Sequence, residues 1–153
     1  MRLLEKQKLR AIYGVGERQF RRYFARATRR RGVTGEELIR QLETRLDAVC
    51  LRLGFALSMR QGRQLVSHGH VKVDGRRINV PSAQVKPGQT IELVAKAQNF
   101  LFVREALELA PDPPAYLYRN AGEFAGTMSH LPERAEVPLP VEVDERLIVE
   151  FYS

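Results

Sequence analysis

The sequence predicts an α+β chain, helical through its first third and strand-bearing beyond it. Three observations carry that reading. Apolar residues recur at helical spacing from Leu3 to Leu53. Asp74-Gly75 separates two short runs of alternating character, the signal for a two-residue hairpin turn. Lys86-Pro87-Gly88-Gln89 forms a type II turn pattern, with Pro presetting φ and Gly supplying the positive φ, ahead of a strand over Thr90–Val94.

The first helix runs from Leu3 to Ile12 and ends near Gly14. The second covers Glu17 to Arg31 and stops at Gly32. On it Phe20, Tyr23, Phe24 and Ala27 share one side at i, i+3, i+4 and i+7, the spacing of a core-facing stripe. Arg18, Arg21, Arg22, Arg26 and Arg29 occupy the opposite side. A third helix is expected from Thr34, boxed by Glu37, through Leu38, Ile39, Leu42, Leu46, Val49, Cys50 and Leu53 to Gly54. Cys50 lies on that apolar stripe, which makes it a buried thiol rather than a nucleophile. Ser58 and Gln61 open a short helix ending at His68-Gly69. Met59, Gly62, Leu65 and Val66 are its inner side, and Arg60, Arg63, Gln64, Ser67 and His68 its outer one.

The hairpin joins Val71–Val73 to Arg76–Val80. Its turn pairs Val73 with Arg76, Lys72 with Arg77 and Val71 with Ile78. Alternation then sets Lys72 and Arg77 on one face, with His70 if the strand extends back. Beyond it a helix is expected around Asn99–Leu109, then the linker Pro111-Asp112-Pro113-Pro114, one or two short strands around Gly122 and Gly126, and a β-rich tail over Leu147–Tyr152.

Composition narrows the function. The 153 residues carry 25 Lys+Arg against 18 Asp+Glu, a net charge of +7 that is unevenly spread. Residues 1–31 hold eleven basic and two acidic side chains, net +9; residues 32–100 hold ten and six, net +4; residues 101–153 hold four and ten, net −6. Dense arginine with few acidic neighbours points to an anionic partner, because guanidinium binds phosphate bidentately and displaces counterions. No apolar stretch has the length of a membrane span or a secretory signal. One cysteine excludes an internal disulfide and a multi-cysteine zinc site, and fits a reducing, cytosolic compartment. His68 and His70 lack the further ligands of a metal site. Glu142, Asp144 and Glu145 lie in a Pro-rich exposed stretch that offers no burial to tune a catalytic carboxylate. No phosphate loop and no nucleophile elbow is present. No catalytic residue, cofactor or metal is expected.

RNA binding is the expectation that remains, through three basic surfaces. These are the second helix, with Arg10 before it and Arg30 and Arg31 after it; the outer face of the short helix, with Arg60, Arg63, Gln64 and His68; and the hairpin, with His70, Lys72, Arg76 and Arg77. The last two are adjacent in sequence and suit phosphates and 2′-hydroxyls of structured RNA. Tyr13 and Tyr23 read as core rather than as base-stacking residues.

The segment SMRQGRQLVSHGHVKVDGRRINVPS, Ser58 to Ser82, closely resembles the RNA-binding motif named after bacterial small-subunit ribosomal protein S-four. RNA-modifying enzymes and synthetases share that motif, but the flanks LEKQKLRAIYGVGERQFRRYFARA, LETRLDAVCLRLGFA, VKPGQTIEL and HLPERAEVPLPVEVDERLIVEFYS resemble the S-four ribosomal protein family in order. The resemblance spans essentially the whole chain. It implies a helical domain built from both ends, 1–44 plus about 126–153, with an α/β RNA-binding domain of about 45–125 inserted, its motif core at 58–94. It implies direct binding to small-subunit ribosomal RNA in the five-prime domain, at a junction of several helices, early in assembly of the subunit body. It also implies a place by the messenger entry region beside small-subunit proteins three and five, an influence on decoding accuracy linked functionally to protein twelve, and, in some members, repression of the protein's own messenger RNA. The acidic last third is then expected to meet protein rather than RNA.

Three departures from the family pattern stand out. Family members usually carry a further basic N-terminal segment, which in some binds zinc through cysteines; this sequence starts after it, by truncation or because the natural protein is short, so no metal is carried over. Met59 and Gly62 stand where Arg and Ala are common, and Gly inside a helix costs about 1 kcal/mol against Ala. The chain stops at Ser153, without the usual final basic residue. Two rivals are a stand-alone RNA chaperone or operon repressor, and a fragment of an RNA-modifying enzyme such as a pseudouridine synthase, which the flanking match opposes.

Overall fold

A computed structural model describes residues 1–120, 122 and 124–153. Among these described residues it is α+β, with seven α-helices and a five-stranded antiparallel sheet. The backbone divides into two compact units, Met1–Glu43 with Glu133–Ser153, and Thr44–Pro132.

The first unit is helical. Helix α1 spans Arg2–Tyr13 and stops where Gly14 turns left-handed at φ 64°, a conformation glycine adopts without strain. Helix α2 spans Glu17–Arg29 and α3 spans Thr34–Glu43. The stripe expected on α2 is core: Phe20, Tyr23 and Ala27 are buried, as is Tyr13. The Tyr13 hydroxyl donates to the fully buried Glu43 carboxylate, which satisfies both groups.

The C-terminal tail corrects the expectation of β-structure. Glu145–Phe151 is a helix, α7. Asp144 caps it by accepting from the Arg146 N–H at 3.1 Å, and the Glu5 carboxylate of α1 accepts from the Asp144 N–H at 2.8 Å. Leu147, Ile148 and Phe151 fall at i, i+1 and i+4, so one stripe meets α1 and α3. Tertiary packing and the cap outweigh the strand preference of Ile148, Val149 and Phe151. Tyr152 follows directly, its ring 4.4 Å from that of Phe24.

The second unit opens on another correction. The single helix expected from Thr34 to Gly54 is broken: α3 ends at Glu43 and α4 covers Leu46–Arg52. Between them Arg45 is extended, with ψ 144°. There the backbone bonds to a distant segment, Leu46 N–H to the Ala83 carbonyl at 2.8 Å and Val85 N–H to the Thr44 carbonyl at 2.8 Å. Both sides of the break are buried, so hydrophobic periodicity runs through it unmarked.

Helix α5 covers Met59–Ser67, and Ser58 Oγ accepts from the Gln61 N–H as expected. The Gln61 side chain returns to the Leu57 N–H at 2.8 Å, one residue earlier than a capping box requires. A Cβ on Gly62 would stand 2.6 Å from the Asp47 carbonyl oxygen, so the glycine lets α4 and α5 approach closely.

Strands β1 (Val71–Val73), β2 (Arg76–Arg77), β3 (Thr90–Leu93), β4 (Leu117–Arg119) and β5 (Ala125–Met128) form the sheet in the order β2-β1-β3-β5-β4. The hairpin register is the expected one, Lys72 opposite Arg77 and Val73 opposite Arg76, about a turn with φ 50° at Asp74 and 82° at Gly75. Strand β2 is shorter than expected because the chain leaves for the Pro81–Val85 segment that meets Thr44–Asp47. Helix α6 spans Leu101–Leu109, after a 3₁₀ turn over Ala97–Asn99. Val49 and Cys50 of α4, Leu53 at its C-cap, Leu65 of α5 and Val103 of α6 share one core with Val71, Ile91, Leu93 and Met128 of the sheet. Burial pushes the Cys50 thiol far up, out of reach of ionisation.

Candidate nucleic-acid interface

In the helical unit, Arg18, Arg21, Arg22, Arg26 and Arg29 are exposed on α2, opposite its buried stripe, and Arg30 and Arg31 are exposed just beyond it. The Arg26 guanidinium lies over the Tyr23 ring, 5.4 Å from its centroid. Among the described residues, Arg18, Arg22, Arg26, Arg29, Arg30 and Arg31 make no ion pair within the chain. The acid of this helix, Glu17, is committed at its other end. It accepts from Lys6 at 2.7 Å and Arg10 at 2.9 Å, and Arg21 lies 3.2 Å away. The hydrogen bond from Lys6, with its charge and those of Arg21 and Arg10, holds the Glu17 carboxyl below its ordinary range.

Arg10 is placed differently from the other arginines. Its guanidinium donates to Glu17, to Gln7 at 2.8 Å and to the Val15 carbonyl at 3.3 Å, so it closes the α1–α2 corner.

In the second unit, Arg60, Gln64 and His68 are exposed at i, i+4 and i+8 along α5 and its end. Arg63 is half-buried, with Nε 3.7 Å from the Asp47 carboxylate. On the sheet, Lys72 faces Arg77 directly across the hairpin, and Glu92 follows on β3. Directly opposed like charges are destabilising in a free sheet, a penalty that a bound anion removes. Among the described residues Arg60, Lys72, Arg76 and Arg77 make no ion pair within the chain. The pleat sets Arg76 with Val73, on the face away from Lys72 and Arg77.

His70 does not join that exposed row. Its ring meets Phe100 edge-on at 4.9 Å between centroids. Burial, with the charges of Lys96, His68 and Arg77 nearby, holds its pKa below the ordinary imidazole range, so the ring is neutral at pH 7. Lys96 and the Phe100–Phe102 pair therefore belong to this neighbourhood. The only sequence signal for them was a basic residue ahead of an unusually aromatic helix start.

Among the described residues no group of three or more His, Cys, Asp or Glu could hold a metal ion, and no helix is long and apolar enough to cross a membrane.

Residues 44–91 match the family described as "S4 domain", and residues 1–43 match "Ribosomal protein S4/S9 N-terminal domain". The chain is 54% identical over 153 residues to the small ribosomal subunit protein uS4 of Geobacillus sp. (strain WCH70), covering all of this chain and 76% of that one. The chain belongs to the uS4 family. The uS4 protein of Thermodesulfovibrio yellowstonii is 50% identical over 155 residues, covering all of this chain and 74% of its own length. That of Dictyoglomus thermophilum is 52% identical over 155 residues, with 73% of its length covered. Membership in the uS4 family makes this a structural ribosomal protein rather than an enzyme. It also bears out the resemblance seen in the motif and its flanks.

Proposed function

We propose that the chain is a structural component of the small ribosomal subunit in the cytoplasm, where it binds small-subunit ribosomal RNA directly. The observation that carries this reading is the arginine face of α2. Arg18, Arg22, Arg26 and Arg29 on that face, with Arg30 and Arg31 just beyond it, are exposed without intramolecular ion pairs among the described residues. Such a face holds its charges apart only against many counterions, and phosphates replace those ions with a gain in entropy. The second unit offers a separate set in Arg60, Gln64, His68, Lys72 and Arg77. Arginines rather than catalytic groups are what this chain presents to a partner.

The finer reading follows the family. The RNA site is the five-prime domain at a junction of several helices, and binding there starts assembly of the subunit body. The acidic last third meets small-subunit protein five, with protein three nearby at the messenger entry region. Through that contact, linked functionally to protein twelve, the chain affects decoding accuracy. Its own messenger RNA is a second target for repression.

Hydroxyl-radical footprinting on a small-subunit ribosomal RNA transcript tests this reading. Backbone protections should cluster in the five-prime domain around one helical junction. Protections scattered evenly along the transcript, or none at concentrations that saturate binding, would contradict it.

A further inference from the structure

Within the second unit a groove of about 490 Å³ lies between α5, the start of β1 and the entry to α6. Its floor is the fully buried Leu65. Its walls are aromatic: His70 meets Phe100 edge-on, and Phe100 lies nearly parallel to Phe102, 24° apart with centroids at 5.7 Å. Leu101 beside them is 72% exposed. Gln64 and His68 on its edge belong to the RNA-facing set, whereas its aromatic wall has no assigned partner. An apolar hollow of that size, open to water, marks a site that a partner group fills.

The charges around it choose the partner. Lys96 and Arg77 carry positive charge close to the His70 ring, on the opposite side of the balance from the Glu105 carboxylate that lines the groove. Gln64 and His68 sit on the rim, on the same exposed α5 stripe as Arg60. A hydrophobic protein anchor gains nothing from cations beside an apolar groove. A nucleotide needs them, since its base is planar and apolar on both faces while its phosphate is anionic. The Gln64 amide and the Glu105 carboxylate supply the donor and acceptor groups that meet a base edge. We propose that this groove takes one unstacked nucleobase of the bound RNA, stacked against the Phe100–Phe102 wall, with its phosphate toward His68 and Lys96. The proposal rests on the RNA-binding reading.

The test uses the full chain and a five-prime-domain transcript of small-subunit ribosomal RNA. The paired substitution Phe100→Leu and Phe102→Leu keeps apolar bulk and removes the stacking faces. Affinity should fall about five- to 150-fold, the range for one stacked base, with the salt dependence unchanged because no phosphate contact is lost. Chemical probing of base edges should show one or two unpaired nucleotides protected by the wild type and exposed with the variant, while backbone protections persist. Ultraviolet crosslinking of the wild type should attach a nucleotide to the 96–105 segment or to His70, and this arm decides the matter if the variant fails to fold. Unchanged affinity and base protection, with crosslinks elsewhere, would overturn the groove proposal while leaving RNA binding intact. That outcome would leave the groove to an apolar side chain of a neighbouring protein. A wild type that does not bind the transcript would overturn the RNA reading itself, and the groove proposal with it.

Discussion

Replacing Asp47 with Leu removes a carboxylate that is fully buried at the start of α4. In the native chain it accepts from Arg45 Nε at 3.0 Å, from Arg45 Nη2 at 2.8 Å and from the Ala48 N–H at 2.8 Å, with Arg63 at 3.7 Å. Arg45 is itself only 3% exposed. Asp47→Leu therefore leaves a guanidinium in the interior without its bidentate partner, a loss of about 3–5 kcal/mol. Against the ~5–15 kcal/mol stability of an ordinary domain this is a large fraction. Urea unfolding followed by far-ultraviolet circular dichroism measures it, since the chain has no Trp to report by fluorescence. With a slope of about 2 kcal/mol per molar urea, the midpoint should drop by roughly 1.5–2.5 M. The double change Arg45→Met with Asp47→Leu should recover at least half of that loss, because both charges are then gone. A midpoint shift below about 0.3 M for Asp47→Leu alone would refute the reasoning, since the pair would then contribute no more than a surface ion pair.

Two further perturbations address other parts of the fold. Lys8 and the Asp144 N–H hold the Glu5 carboxyl below its ordinary value of 4.5, so its stabilising contribution is complete above that pH and is lost as the pH falls through the lowered folded value. Acid unfolding monitored by circular dichroism should show this decline beginning below about 4.5, and Glu5→Gln should flatten it; an unchanged acid limb in the variant would assign the decline to other carboxylates. Gly126→Ala would place a Cβ 2.4 Å from Leu53 Cδ2 and 2.9 Å from the Tyr118 carbonyl oxygen, overpacking worth about 1–3 kcal/mol. The melting temperature should fall by about 2–4 °C for each kcal/mol, and a melt superimposable on wild type would show that the β4–β5 corner gives way freely.

Much of this architecture was legible because single residues carry it. The Asp74-Gly75 turn determines the hairpin register, and the left-handed φ values at Asp74 and Gly75 are the reason. The α2 pattern separates buried aromatics from exposed arginines because 13 residues give the helical period room to show. What stayed hidden depended on distant partners. The Thr44–Arg45 break exists because Pro81–Val85 takes up the backbone there, and the apolar period gives no sign of it. The tail over Leu147–Tyr152 looks like a strand until Glu5 and Asp144 are seen to cap it as a helix. At the candidate interface, composition marks arginines but not their commitments. Arg10 is bound to Glu17 and Arg63 leans on Asp47, whereas Arg18, Arg22 and Arg60 stand open. The aromatic groove was illegible because His70 and Phe100 lie thirty positions apart and meet only across the β1–α6 corner.

The central claim is that exposed arginines of both units hold RNA phosphates. Its most direct test is the salt dependence of binding to the five-prime-domain transcript, compared between the wild type and a variant carrying Arg18→Ala, Arg22→Ala, Arg60→Ala and Arg77→Ala. Each lost phosphate contact should remove about 0.7–0.9 from the slope of log K against log salt, so the four together should flatten it by about 3 and weaken binding at every salt concentration. A variant that keeps both the wild-type slope and the wild-type affinity would contradict the account.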